Sequence, residues 1–140
     1  MEVVPARMNG VPPDTDSRLY DIRFDPDRRI LHLKLSGFWT MATVIRFAAE
    51  LLVRTTAARA RHGRFATFSD SSGFPVQSTQ VAQYFERIMA RGIAMDIGPT
   101  AIVVASHLNK LQAERVFHTD RVRVFTDRAQ AEAWLDANWR

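Results

Sequence analysis

The chain has 140 residues, 46% hydrophobic and 24% charged, which suits one soluble domain with a core of its own. The absence of cysteine excludes disulfides, thiolate catalysis and cysteine-ligated zinc. The net charge of +4 is carried almost wholly by arginine, with Lys34 and Lys110 the only lysines, and reads as a solubility charge rather than a nucleic-acid footprint.

Residues 1–17 carry Pro5, Pro12 and Pro13 and the polar run Asp14-Thr15-Asp16-Ser17, so a disordered arm is expected there, with the folded domain over 18–140. The N-terminus lacks the apolar core of about 7–15 residues found in signal peptides. No run approaches the roughly 18 apolar residues of a membrane span. A cytoplasmic protein without stable membrane insertion is the expectation.

From Leu19 to Phe24 apolar and polar residues alternate, and after the turn Asp25-Pro26-Asp27 they alternate again from Ile30 to Ser36. Two such strands joined by a short turn predict an antiparallel hairpin. A helix follows from about Thr40, a good N-cap, to Arg61, with Gly63 just past its end. Its expected apolar stripe is Met41, Ile45, Ala48, Leu51 and Leu52. Arg64 to Ser69 reads as a strand, and Ser78 to Arg91 as a helix with Val81, Tyr84, Phe85, Ile88 and Met89 inward and Gly92 as its stop.

The stretch from Ile93 to Gly98 is unusually apolar for a loop. Thr100 to Ala105 is a continuous apolar run, as expected of a central parallel strand. A helix over about Leu108 to His118, a strand over Val122 to Phe125 and a helix over Asp127 to Asn138 complete the chain, the last with Ala131, Trp134 and Leu135 inward. Strands alternating with helices predict an α/β fold: a mixed five-stranded sheet, antiparallel only in its opening hairpin. Arg23, His32, Lys34 and Arg123 fall on the polar side of their strands, so the helices are expected mainly on one face.

This pattern resembles the STAS domain (sulfate transporter and anti-sigma factor antagonist), and more narrowly the SpoIIAA-like proteins grouped with Sec14-type lipid-binding folds. The features that carry the resemblance are the hairpin ending Leu35-Ser36-Gly37, the strand ending at Asp70, the run Pro99-Thr-Ala-Ile-Val-Val-Ala, and the ending from Val122 to Trp134-Leu135. It implies a βα superhelix and a bacterial, non-enzymatic regulatory or ligand-binding module. Members of the SpoIIAA-like group are mostly of unknown function.

Ligands of open α/β sheets sit beyond the carboxyl ends of the strands, which points to Asp70, Ser71, Ser72, Gly73 and Phe74 as an interaction or ligand loop. Asp70-Ser71-Ser72-Gly73 is similar to the Asp-Ser-Ser-Gly motif of anti-sigma factor antagonists, which implies Ser71 as a phospho-acceptor. The same residues also suit a plain turn, because Asp and Ser bond their own backbone and Gly supplies positive φ. Phe38, Trp39, Met95 and Ile97 are candidates for an apolar pocket or a subunit contact, and otherwise for plain core.

No catalytic residue, cofactor or metal site is expected. There is no Gly-x-Ser-x-Gly elbow and no Gly-rich phosphate loop. His107 and His118 would stand about 16 Å apart on one helix, too far to share an ion. A hydrolytic pairing of Ser71 with His107 at the sheet edge is the weakest reading. Arg59, Arg61, His62 and Arg64 suit a helix C-terminus without invoking a nucleic acid. The partner is then an unknown protein, a small apolar ligand or a second copy of the chain.

Overall fold

The structure, a computed structural model, describes residues 19–94, 98–117 and 119–139. The expected N-terminal arm, Met95, Ile97 and His118 lie outside the described residues. Strands β1 (Tyr20–Asp25) and β2 (Ile30–Ser36) pair antiparallel, with Tyr20 opposite Leu35 and Asp25 opposite Ile30. Asp25 Oδ1 accepts hydrogen bonds from the backbone N–H groups of Asp27 (3.0 Å) and Arg28 (3.3 Å), which fixes the turn between them. Strands β3 (Ala66–Gly73), β4 (Thr100–Val104) and β5 (Val122–Phe125) then add in parallel, giving the order β1-β2-β3-β4-β5.

Helix α1 (Met41–His62) begins at Thr40, whose Oγ1 accepts from Thr43 N at 3.2 Å. It ends at Gly63, which adopts φ +76° and donates its N–H to Arg59 O at 3.0 Å. Its buried face differs from the expected stripe. Thr43, Val44, Phe47, Thr55 and Ala58 are buried, whereas Ile45 and Leu52 are exposed. Phe47 decides the rotation, since its ring meets Tyr20 and Trp39, each at 5.1 Å between centroids. Thr55 tolerates burial because its hydroxyl donates back to Leu51 O at 2.8 Å.

The third strand runs further than Ser69. Asp70 and Ser71 pair with Val103 and Val104, and Gly73 pairs with Ser36 after a register shift in β2. Ladder bonds on both sides override the turn preference of Asp, Ser and Gly. Helix α2 (Thr79–Ala94) starts behind Ser78, whose Oγ accepts from Val81 N at 3.3 Å, and continues through Gly92. A glycine inside a helix costs about 1 kcal/mol but does not terminate it unless φ turns positive, and Gly92 is not among the positive-φ residues. Helices α3 (His107–Val116) and α4 (Arg128–Asn138) are capped by Ser106 and Asp127.

Among the described residues α1, α2 and α3 pack on one face of the sheet and α4 on the other. Leu31, Leu33 and Leu35 meet Val44, Phe47 and Val81, while Ile102, Val104 and Val124 meet Ala113 and Phe117. On the opposite face Ile30, Ala66, Phe68, Ala101 and Val103 meet Ala131 and Leu135 of α4. The uneven coverage inferred from Arg23, His32, Lys34 and Arg123 holds: α4 leaves Arg23, Lys34 and Arg123 exposed.

Candidate functional site

Alternate residues of a strand point to one face. On β3 the residues facing the helices are Thr67, Ser69 and Ser71, and β4 adds Thr100; all four are buried. These side chains are short, and α1, α2 and α3 above them do not reach down to fill the space. A cleft results, in two lobes that share Leu33, Thr67, Met89 and Thr100 as walls. One lobe, of ≈120 Å³, lies at the starts of β4 and β5 and is walled by Leu31, Leu51, Thr55, Ile88 and Val122. The other, of ≈250 Å³, lies toward the carboxyl ends and is walled by Phe74, Ala82, Phe85, Ile102, Val104 and Phe117.

The floor hydroxyls are not equivalent. Ser69 Oγ and Ser71 Oγ lie 3.2 Å apart and satisfy one another. Thr67 Oγ1 is fully buried and has no hydrogen-bond partner. A buried hydroxyl without a partner costs about 1–3 kcal/mol, so Thr67 carries a hydrogen-bonding demand that the described residues leave unmet.

The other face of the sheet carries an ionic corner. Asp70 Oδ1 accepts from Ser72 N (3.1 Å) and Ser72 Oγ (2.6 Å), and Asp70 Oδ2 accepts from Arg128 Nη1 at 3.2 Å. Partial burial pushes the Asp70 carboxyl up, but the two Ser72 hydrogen bonds, with Arg128 and Lys34, outweigh it and hold the group below its usual range. His32 is held below its ordinary value, first by burial and then by Arg23 opposite it on β1. Tyr20 is pushed up to about 12 by burial and by its hydrogen bond to Glu50 at 3.1 Å.

No family model matches the chain, and no curated protein does. Among solved structures it is similar to an uncharacterised protein of the DUF3478 family from Shewanella loihica PV-4, described as having a SpoIIAA-like fold. The likeness covers 83% of this chain and 91% of that one at 19% identity, with a TM-score of 0.61. The fold is SpoIIAA-like. The likeness concerns the path of the backbone and assigns no activity.

Within this SpoIIAA-like fold the residues expected to form one loop are parted by the strand they belong to. Asp70 and Ser72 face the ionic corner, Ser71 faces the cleft, and Gly73 pairs with Ser36. Phe74 turns into the core, 4.9 Å from Trp39 and 5.6 Å from Phe85 between centroids. Ser71 is 7% exposed and stands on a strand rather than at a helix start, so its hydroxyl is not presented as a phospho-acceptor. Its partner is Ser69, and His107 is exposed at the start of α3.

Of the expected apolar set Phe38, Trp39, Met95 and Ile97, only Phe38 and Trp39 fall among the described residues. Trp39 is 2% exposed, donates Nε1 to Ser36 O at 2.9 Å and is plain core, while Phe38 is 64% exposed. Among the described residues the apolar lining of the cleft includes Leu31, Leu33, Met89, Ile88 and Ile102. The signal available for it was the hydroxyl row Thr67, Ser69, Ser71, alternating with Ala66, Phe68 and Asp70 in a central strand. Among the described residues no three His, Asp or Glu side chains converge as metal ligands. None of the described helices is long and apolar enough to cross a membrane.

Proposed function

We propose that the chain is a non-enzymatic binding module that takes a small apolar ligand into the cleft between the sheet and helices α1–α3. One observation carries this reading: an apolar-walled hollow in the core whose floor bears the unpartnered hydroxyl of Thr67. Sites for small molecules are mostly apolar with a few placed polar groups, and this cleft has that composition. Its larger lobe of ≈250 Å³ falls below the about 300–1,000 Å³ of drug-sized sites. A single short chain fits that space, and a two-chain lipid does not.

Octanol is the probe. Isothermal titration is expected to show saturable binding to the wild-type protein, and Ser69→Leu, which fills the floor, is expected to abolish it while circular dichroism stays native. Native mass spectrometry of protein from its own host is expected to show an added small-molecule mass that leaves on denaturation. No octanol binding, together with an empty native spectrum, would sink the reading. Exposed Ile45, Leu52 and Val53 on α1 favour a second reading, a protein-interaction module that docks through that helix.

A further inference from the structure

The larger lobe offers a ligand very little charge. Among the described residues no lysine, arginine or histidine lines it, and its one carboxylate, Glu86, stands exposed on α2. Its other polar side chains are neutral, and several are already engaged. Gln77 Oε1 accepts from Trp39 N at 2.8 Å, and Gln77 Nε2 donates to Gly37 O (3.1 Å) and Pro75 O (2.7 Å). Asn109 Oδ1 accepts from Ser106 Oγ, Gln112 is exposed, and Ser69 and Ser71 bond to one another. Thr67 differs. It is 5% exposed, its Oγ1 has no partner among the described residues, and it lines both lobes. It stands opposite Thr100 in the β3–β4 register, so the strand ladder fixes its place in the floor. Arg91 and Arg121 line the smaller lobe only; Arg91 is exposed and Arg121 has an interaction of its own.

We infer that the ligand is an uncharged single-chain molecule with one terminal hydrogen-bonding oxygen, an alcohol or a carbonyl, seated on Thr67 Oγ1 with its chain running along β3 toward Ser71. This rests on the cleft being the binding site. A threonine hydroxyl both donates and accepts, so either oxygen satisfies it. An ion in the same seat would lose its hydration without gaining a partner of opposite charge, a far larger cost than an alcohol bears. Thr67 then sets specificity, because a site that hydrogen-bonds its ligand discriminates against analogues that cannot answer it. From Thr67 to Ser71 the floor spans about 13 Å at about 3.3 Å per residue, enough for an extended chain of modest length.

The test compares octanol with octanoate and octylammonium, one charge of each sign, by titration at about pH 7, where both ions are fully charged. Octanol is expected to bind about tenfold or more tightly than either ion. Thr67→Val is expected to lower octanol affinity several-fold, and Thr67→Ser, which keeps the hydroxyl, to retain most of it. Should Thr67→Val fail to fold, the comparison of octanol with the two ions on the wild-type protein carries the test alone. The inference is overturned, with the cleft reading intact, by an ion that binds as tightly as octanol. It is overturned equally by a Thr67→Val protein that binds octanol like the wild type, or by a Thr67→Ser protein that binds it no better than Thr67→Val. Failure of all three ligands to bind overturns both.

Discussion

The same sheet face is solid at one end and hollow at the other. Over β1 and β2 the rings of Tyr20, Trp39, Phe47, Phe74 and Phe85 interlock, with centroids between 4.9 and 6.3 Å apart. Over β3 and β4 the corresponding floor is Thr67, Ser69, Ser71 and Thr100. The helices that cover the face belong to one layer, and what changes is side-chain size at alternate strand positions. A binding hollow can therefore be made without an extra element, by writing short hydroxyls where a core strand would carry Val, Ile or Phe. Lining atoms of such a hollow lack dispersion partners on one side, so truncations should cost different amounts in the two halves.

The solid half should give the largest effect. Trp39→Ala removes a fully buried indole and its hydrogen bond to Ser36 O; a loss of about 3–5 kcal/mol is expected in urea denaturation. In the hollow half, Met89 is half-buried and borders both lobes. Met89→Ala is expected to cost only about 1 kcal/mol, against about 2–5 kcal/mol for a fully packed methionine. If both substitutions cost the same, the contrast between the halves is broken and the cleft is closed in solution.

Thr67→Val sharpens the contrast by reversing the sign. The swap keeps the shape but deletes a buried hydroxyl with no partner. Stability of the ligand-free protein should rise by about 1 kcal/mol, while octanol affinity falls several-fold if the alcohol bonds this hydroxyl. A loss of stability instead would show that this hydroxyl already bonds to water or ligand in solution.

The hairpin, the strand–helix order and the caps at Thr40 and Gly63 were legible because each rests on local chemistry, alternation, a side-chain oxygen at a helix start or a glycine just past its end. The face of α1 was not, because Ile45 and Leu52 are as apolar as the residues that are buried. Only the Trp39–Phe47–Tyr20 cluster, a tertiary feature, sets the rotation. Asp70 to Gly73 misled for a related reason: turn-forming residues become strand when two neighbouring strands supply ladder partners. The cleft depended on knowing that Thr67, Ser69 and Ser71 face a helical layer, and either face of β3 was open on alternation alone.

The smallest effect concerns the opposite face, where ions rather than a hollow distinguish the sheet. His32 is held below 6.5 by burial and Arg23. The unfolded chain therefore binds more protons between the folded value and 6.5, and stability, complete above 6.5, falls as pH drops through that window. Asp70 is held below 3.8, so its contribution is present above 3.8 and is lost only as pH falls through its lower folded value. Urea midpoints measured from about pH 8 to about pH 3 should thus decline in two separated limbs. His32→Gln should flatten the first limb and Asp70→Asn the second. The cleft behaves differently, because its floor hydroxyls do not titrate in this range. Octanol affinity should then hold level across the first limb while stability declines. A fall in both together would mean that His32, on the far side of the sheet, is coupled to the cleft through β3, and the two faces could no longer be treated as independent.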